Sequence, residues 1–225
     1  MIKEQIMNLI SNLDNSLIRD EYKINIYRKY VLPSIRFSLQ IHELHTSQLG
    51  VLDRVTSRFL KKWAHMPQSA SLSLFQHPKL LGIKSISHLS KECKALSFTK
   101  QRLEGDLTVN EALDSRIQRE SSWSRKSSSC ITSQTILDNT LQSLQQGYSV
   151  KNGIKKSINN EYALHWDNRI RSYTTQGKML ELFALQENDI SWQSMIYNLP
   201  KGLLQFAMNA ALNTLPSPDN LKEMG

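Results

Sequence analysis

Residues 49–63, LGVLDRVTSRFLKKW, constrain the fold more than any other part of the chain. At about 100° per residue, Leu49, Leu52, Val55, Phe59, Leu60 and Trp63 line one side of a helix. Arg54, Arg58, Lys61 and Lys62 line the opposite side, and Asp53 is the only acid in the segment. Such a helix buries its apolar stripe against neighbours and turns a basic ridge outward. The clustered cations repel one another unless a polyanion or screening salt lies alongside. The plain alternative is the solvated face of an ordinary bundle helix.

The rest of the composition favours the ridge. The 225 residues carry a formal net charge of +8, which leans toward an anionic partner. The surplus is uneven. Residues 1–65 carry ten Lys or Arg against six acids, and residues 151–178 carry six against two. Residues 179–225 carry two against five. The anion-facing surface is therefore expected from the first and middle parts. Cys93 and Cys130 form neither a disulfide framework nor a zinc pattern, so a reducing, intracellular compartment is expected. No run of 18 apolar residues occurs, and the first 16 residues read as neither signal nor transit peptide.

Strand-like alternation is scarce and helical spacing is common, so the expected class is all-α, in one large domain or two small ones. Residues 2–18 read as an amphipathic helix with Ile2, Ile6, Leu9, Ile10, Leu13 and Leu17 on its apolar side. Asp20 reads as the cap of a helix over 21–41, with a kink or short break near Pro33. Within it, Tyr22, Tyr27 and Tyr30 interleave with Lys23, Arg28 and Lys29, a mixture suited to phosphates and to sugar or base faces. Half-buried tyrosines with wet hydroxyls are the commoner outcome.

Thr46 or Ser47 reads as the cap of the central helix, and Pro67 as its end. Residues 67–83 form a connector with a short helix at 72–76. Helical spacing resumes over 85–103, with Gly105 as a stop, and again over 107–119. Residues 121–130, SSWSRKSSSC, read as a serine-rich basic loop, and 132–146 as a polar helical stretch ending at Gly147. Residues 150–185 read as a long basic helix that Gly177 interrupts, followed by a short helix over 190–197. Pro200 opens a last, buried helix through Leu203, Leu204, Phe206, Ala207, Ala210 and Ala211, which Pro216 and Pro218 end.

No catalytic constellation stands out. His42-Glu43-Leu44-His45 spaces its histidines three apart, not the four of the His-Glu-x-x-His zinc pattern, and a third ligand is not evident. Asp53, Asp106, Asp114 and Asp167 are scattered singly, as surface acids or helix caps are. No adjacent Asp pair offers a site for two magnesium ions.

An ordered set of short motifs over nearly the whole chain resembles the thumb and early post-thumb region of reverse transcriptases from non-LTR (LINE-like) retrotransposons. It runs from Tyr27 and Leu32-Pro33-Ser34 through Leu52-Asp53 to Arg58-Phe59-Leu60-Lys61-Lys62-Trp63. Pro67, Ser69-Ala70, His77-Pro78, Leu81-Gly82-Ile83 and Ser85-Ile86-Ser87-His88-Leu89 follow. Glu120-Ser121-Ser122-Trp123-Ser124-Arg125-Lys126, Tyr197-Asn198-Leu199-Pro200-Lys201-Gly202 and Leu215-Pro216-Ser217-Pro218-Asp219-Asn220-Leu221 complete it.

The helical spacing and breaks divide the chain into a three-helix domain over 1–66, which the resemblance makes thumb-like, a helical connector with the serine-rich loop over 67–147, and a C-terminal helical region over 148–225. The resemblance implies a fragment of an RNA-directed DNA polymerase whose partners are an RNA–DNA or RNA template–primer duplex and the palm and fingers of the parent polyprotein. The palm's x-Asp-Asp motif is missing from this sequence. The catalytic aspartates and the Mg2+ they hold are therefore expected only in the parent, and no cofactor or activity is expected of this chain alone. The family's cysteine/histidine cluster after the Pro-x-Pro-Asp-Asn-Leu run also lies outside the sequence, which reads as an internal piece or a decayed copy. The expected duplex-binding residues are Arg54, Arg58, Lys61 and Lys62, assisted by Lys23, Arg28 and Lys29. The alternatives are a helical protein-interaction module and a relic of a decayed retroelement with no function of its own.

Overall fold

The computed structural model describes residues 2–42, 44–66, 68, 70–77, 81–104, 106–112, 114–115, 149–173 and 200–211. Of these, 82% are helical and none lies in a strand, so the class is all-α. The expectations for Pro67, Gly105, residues 116–147, Gly177, 190–197, Pro216 and Pro218 fall outside the described residues.

The chain forms two compact units, one from Met1–Ser87 with Tyr162–Gly225 and one from His88–Glu161. In the first, α1 (Ile2–Asn15) turns Ile6, Ile10 and Leu13 inward at three- and four-residue spacing. Leu17 does not join this stripe, because the helix has already ended and the side chain is fully exposed.

The next helical run is α2 (Asp20–Ile26), a π turn (Tyr27–Val31) and α3 (Leu32–Ile41). Asp20 is the first helical residue; the cap position is Arg19, which makes no side-chain cap bond. Pro33 does not break the run. Its nitrogen cannot donate to the carbonyl four residues back. The helix widens just upstream instead, where the Leu32 N–H reaches the Tyr27 carbonyl five residues away.

The central helix α4 (Thr46–Trp63) packs against α1 and α2. Its cap is His45, not Thr46 or Ser47. His45 Nδ1 accepts from the Ser47 amide at 3.3 Å, and the His45 amide donates to Gln48 Oε1 at 3.1 Å. Its far end closes in a Schellman motif, in which His65 N–H donates to the Lys62 carbonyl (3.0 Å) and Met66 N–H to the Lys61 carbonyl (2.9 Å). His65 takes the left-handed position usually given to glycine, at φ 54°.

Three polar links hold later chain to this bundle. Asp53 of α4 accepts from the Ile86 amide (2.7 Å) and from the Ser87 amide and hydroxyl, so it caps α6 (Ile86–Glu104) from a different helix. Buried His77, just past α5 (Ser73–Gln76), pairs through Nε2 with Asp167 Oδ1 of α7 (Val150–Ser172) at 2.8 Å. Ser71 Oγ donates to the Tyr173 hydroxyl at 3.1 Å. Residues 70–77 and 81–87 are thus part of the first unit.

The last described helix, α8 (Lys201–Ala211), departs from expectation. Leu203 and Phe206 are more than half exposed, and Ala207 and Ala210 are half-buried. Periodicity identifies an apolar face but not whether anything covers it. In the second unit Leu89, Cys93, Ala95, Phe98, Ile154 and Ile158 are buried.

One acid of the bundle gives a pH test. Asp14 accepts from Lys62 Nζ (2.9 and 2.8 Å) and from the Trp63 indole N–H (2.9 Å). Burial pushes its pKa up, but these hydrogen bonds, with the charges of Lys62 and Lys23, outweigh it and hold the carboxyl below 3.8. A depressed carboxylate stabilises the fold above its unfolded pKa and loses that contribution as pH falls through the folded value. Asp14→Asn should therefore lower the unfolding midpoint at pH 7, and its deficit should be smaller at pH 3. An equal deficit at both pH values in chemical denaturation would contradict the ionic role.

Candidate nucleic-acid interface

The ridge begins with the burial pattern of α4. Leu49, Leu52, Thr56, Leu60 and Trp63 are buried, while Val55 and Phe59 are half-buried. Thr56 tolerates burial because its hydroxyl donates to the Leu52 carbonyl at 2.8 Å. The cations on the other side do not share one fate. Arg54 and Arg58 are exposed, and Arg54 Nε donates back to the Gly50 carbonyl at 3.3 Å. Lys62 is also exposed, although its ammonium lies against Asp14. Arg54, Arg58 and Lys62 follow one another at four-residue steps, so they form a row about 12 Å long.

Lys61 leaves the ridge. By angle it belongs beside Arg54 and Arg58, but its ammonium turns to the chain after the helix and donates to the Gln68 carbonyl at 2.5 Å. It is buried, and burial pushes its pKa down, opposed by the Tyr173 hydroxyl. The helical wheel could not show this, because Gln68 comes from outside the helix. Lys23 is withdrawn in the same way. It is 6% exposed, donates to the Asp14 carbonyl at 2.8 Å and pairs with Asp20 at 3.1 Å.

The two other expected cations lie on the π turn, where Lys29 is exposed and Arg28 half-buried. The tyrosines of this region divide as well. Tyr22 and Tyr30 are exposed, whereas Tyr27 is in the core with its ring 6.3 Å from that of Trp63. Burial, followed by the charge of Asp53, drives the Tyr27 hydroxyl pKa far up against the pull of the neighbouring Thr56 hydroxyl. Tyr27 therefore offers nothing to a ligand.

No family model, curated protein or solved structure matches this chain. The cations that remain at the surface are Arg54, Arg58 and Lys62 in an exposed row on α4, with exposed Lys29 and half-buried Arg28 on the π turn. Among the described residues no group of His, Cys, Asp or Glu is arranged to hold a metal ion, and no helix is long and apolar enough to cross a membrane.

The scattered acids have structural partners. Asp53 caps α6. Asp106 accepts from the Thr108 amide (2.9 Å) and hydroxyl (2.7 Å), which caps the helical residues 107–112. Asp167 serves His77. Sequence reasoning anticipated a cap or surface role for these acids, but it did not assign Asp14 a role. Asp14 supports the ridge from beneath by holding Lys62 and the adjacent Trp63. A lone acid at the end of an apolar helical stripe was the only available signal.

Proposed function

We propose that the first unit grips a nucleic-acid duplex along its backbone without reading sequence, as the thumb of a non-LTR reverse transcriptase would grip its template–primer. The reading is supported by Arg54, Arg58 and Lys62 standing in one exposed row on a helix whose other side is locked into the core. A rigid row is what a backbone grip requires, because phosphate contacts position a protein while base contacts specify sequence. A strand of duplex offers a phosphate every ~3.4 Å along the axis, so a row of ~12 Å faces three or four phosphates. Lys29 and Arg28 add charge from the π turn. Lys61 and Lys23 are left out, since their ammonium groups serve backbone carbonyls. In this reading the polymerase chemistry and its Mg2+ belong to a palm in the parent protein.

The test is binding of the full chain to a labelled RNA–DNA hybrid across a salt series. Arg54→Gln with Arg58→Gln should weaken binding uniformly across sequences and make the slope of log K against log salt shallower by roughly 2. Lys61→Met should lower the melting temperature and leave that slope unchanged. An unaltered slope in the arginine double variant would exclude this row. Absence of binding by the folded parent chain would favour a protein-docking module instead.

A further inference from the structure

The exposed side of the π turn and α3 carries a line of apolar side chains that the duplex reading does not use. Tyr30, Phe37 and Ile41 are 69%, 70% and 59% exposed. They lie seven and four residues apart, so they form one line along the helix, opposite buried Val31, Leu32, Ile35 and Leu39. Each aromatic directly follows a cation, Lys29-Tyr30 and then Arg36-Phe37, and the pair repeats after two turns or about 10 Å. Lys29 is exposed and Arg36 half-buried. From Tyr22 to His42 there is no acid at all. The face is apolar along its crest, with Lys29 and Arg36 along one edge.

We propose that this side of α3 and the π turn is a track for single-stranded nucleic acid, with bases stacking on Tyr30 and Phe37 and phosphates drawn to Lys29 and Arg36. Charge complementarity selects a polyanion. The crest selects one with open aromatic faces, because bases within a duplex already stack on each other. Ring-on-base stacking tolerates any sequence, since every base has a π face. The phosphates meet the same cationic edge whatever the bases are. A groove-seeking partner helix would be met poorly by a single helix with two widely spaced rings. The track shares Lys29 with the duplex reading but none of the row on α4, and neither proposal depends on the other.

The test uses the full chain with a labelled twelve-nucleotide oligothymidine and, in parallel, the RNA–DNA hybrid. Tyr30→Ala and Phe37→Ala should each weaken oligothymidine binding roughly 5- to 100-fold. Tyr30→Leu with Phe37→Leu keeps apolar surface but removes the stacking face, and it should bind as poorly as the alanine variants. Phe37→Trp should preserve binding, and its added fluorescence should be quenched on saturation. All of these substitutions are at exposed positions, so their circular dichroism should match the parent. The Arg54→Gln, Arg58→Gln double variant should keep oligothymidine binding while weakening hybrid binding, which separates failure of this track from failure of the duplex grip. Parent-like binding by the double leucine variant would overturn the proposal. So would a folded parent chain that leaves oligothymidine unbound.

Discussion

Trp63→Ala should destabilise the first unit by about 4 kcal/mol, the range found when a large aromatic is removed from a packed core. The ring is fully buried. It lies 6.3 Å from Tyr27 and 5.9 Å from Phe59, and its indole N–H donates to Asp14 at 2.9 Å. Truncation would leave a cavity between α4 and the π turn and strip Asp14 of one of its donors. Since small domains are stable by about 5–15 kcal/mol in total, a loss of this size would leave the bundle marginal. Trp63→Phe separates the two contributions. It keeps much of the ring volume but removes the donor, so a smaller loss of about 1–3 kcal/mol is expected. Urea denaturation followed by circular dichroism gives both values. A loss under about 2 kcal/mol for the alanine variant would mean that the core can collapse around the gap.

The same residue shows how much of this fold was legible in the sequence. The stripe through Leu49, Leu52, Leu60 and Trp63 could be read because helical periodicity is a local property. The short helix before His77 and the start of α6 were also readable from local spacing. Contacts supplied by distant chain were not. Nothing within residues 49–63 indicates that Gln68 will take up Lys61, or that Asp14 and Asp20 will engage Lys23. A wheel assigns directions and says nothing of what meets them. The caps failed for a related reason. Serine and threonine are favoured at N-caps, but a histidine with an acceptor nitrogen does the same work at position 45. Pro33 signalled a disturbance, but not that the helix would absorb it one turn earlier as a π turn. For the candidate site, the positions of Arg54, Arg58 and Lys62 followed from the sequence. The withdrawal of two expected cations, and the repeat of Lys29-Tyr30 in Arg36-Phe37, became apparent only once exposure was known.

Asp53 reaches from α4 to the first amides of α6. Helices begin with amide donors that lack partners within the helix. Ser85 precedes α6, yet the carboxylate that meets the Ile86 and Ser87 amides comes from Asp53, more than thirty residues earlier. Asp53→Ala removes the acceptor for both amides and for the Ser87 hydroxyl at a partly buried position, and should cost about 2–4 kcal/mol. Asp53→Asn should cost much less, since its amide oxygen can still accept. Burial raises the Asp53 pKa above 3.8, against the pull of the bonds from Ser87 and Ile86. Folding therefore favours the neutral acid, and the contribution of this group is greatest below pH 3.8 and declines as pH rises through the raised value. The asparagine variant carries no such titration, so its deficit against the parent should shrink between pH 4 and pH 7. Asp14→Asn should move in the opposite direction over the acid range. Denaturation at the two pH values distinguishes these carboxylates: one is stabilised by its charge, the other is held in place despite it. A deficit for Asp53→Asn as large as that for Asp53→Ala at pH 7 would show that the charge, not the acceptor geometry, anchors α6.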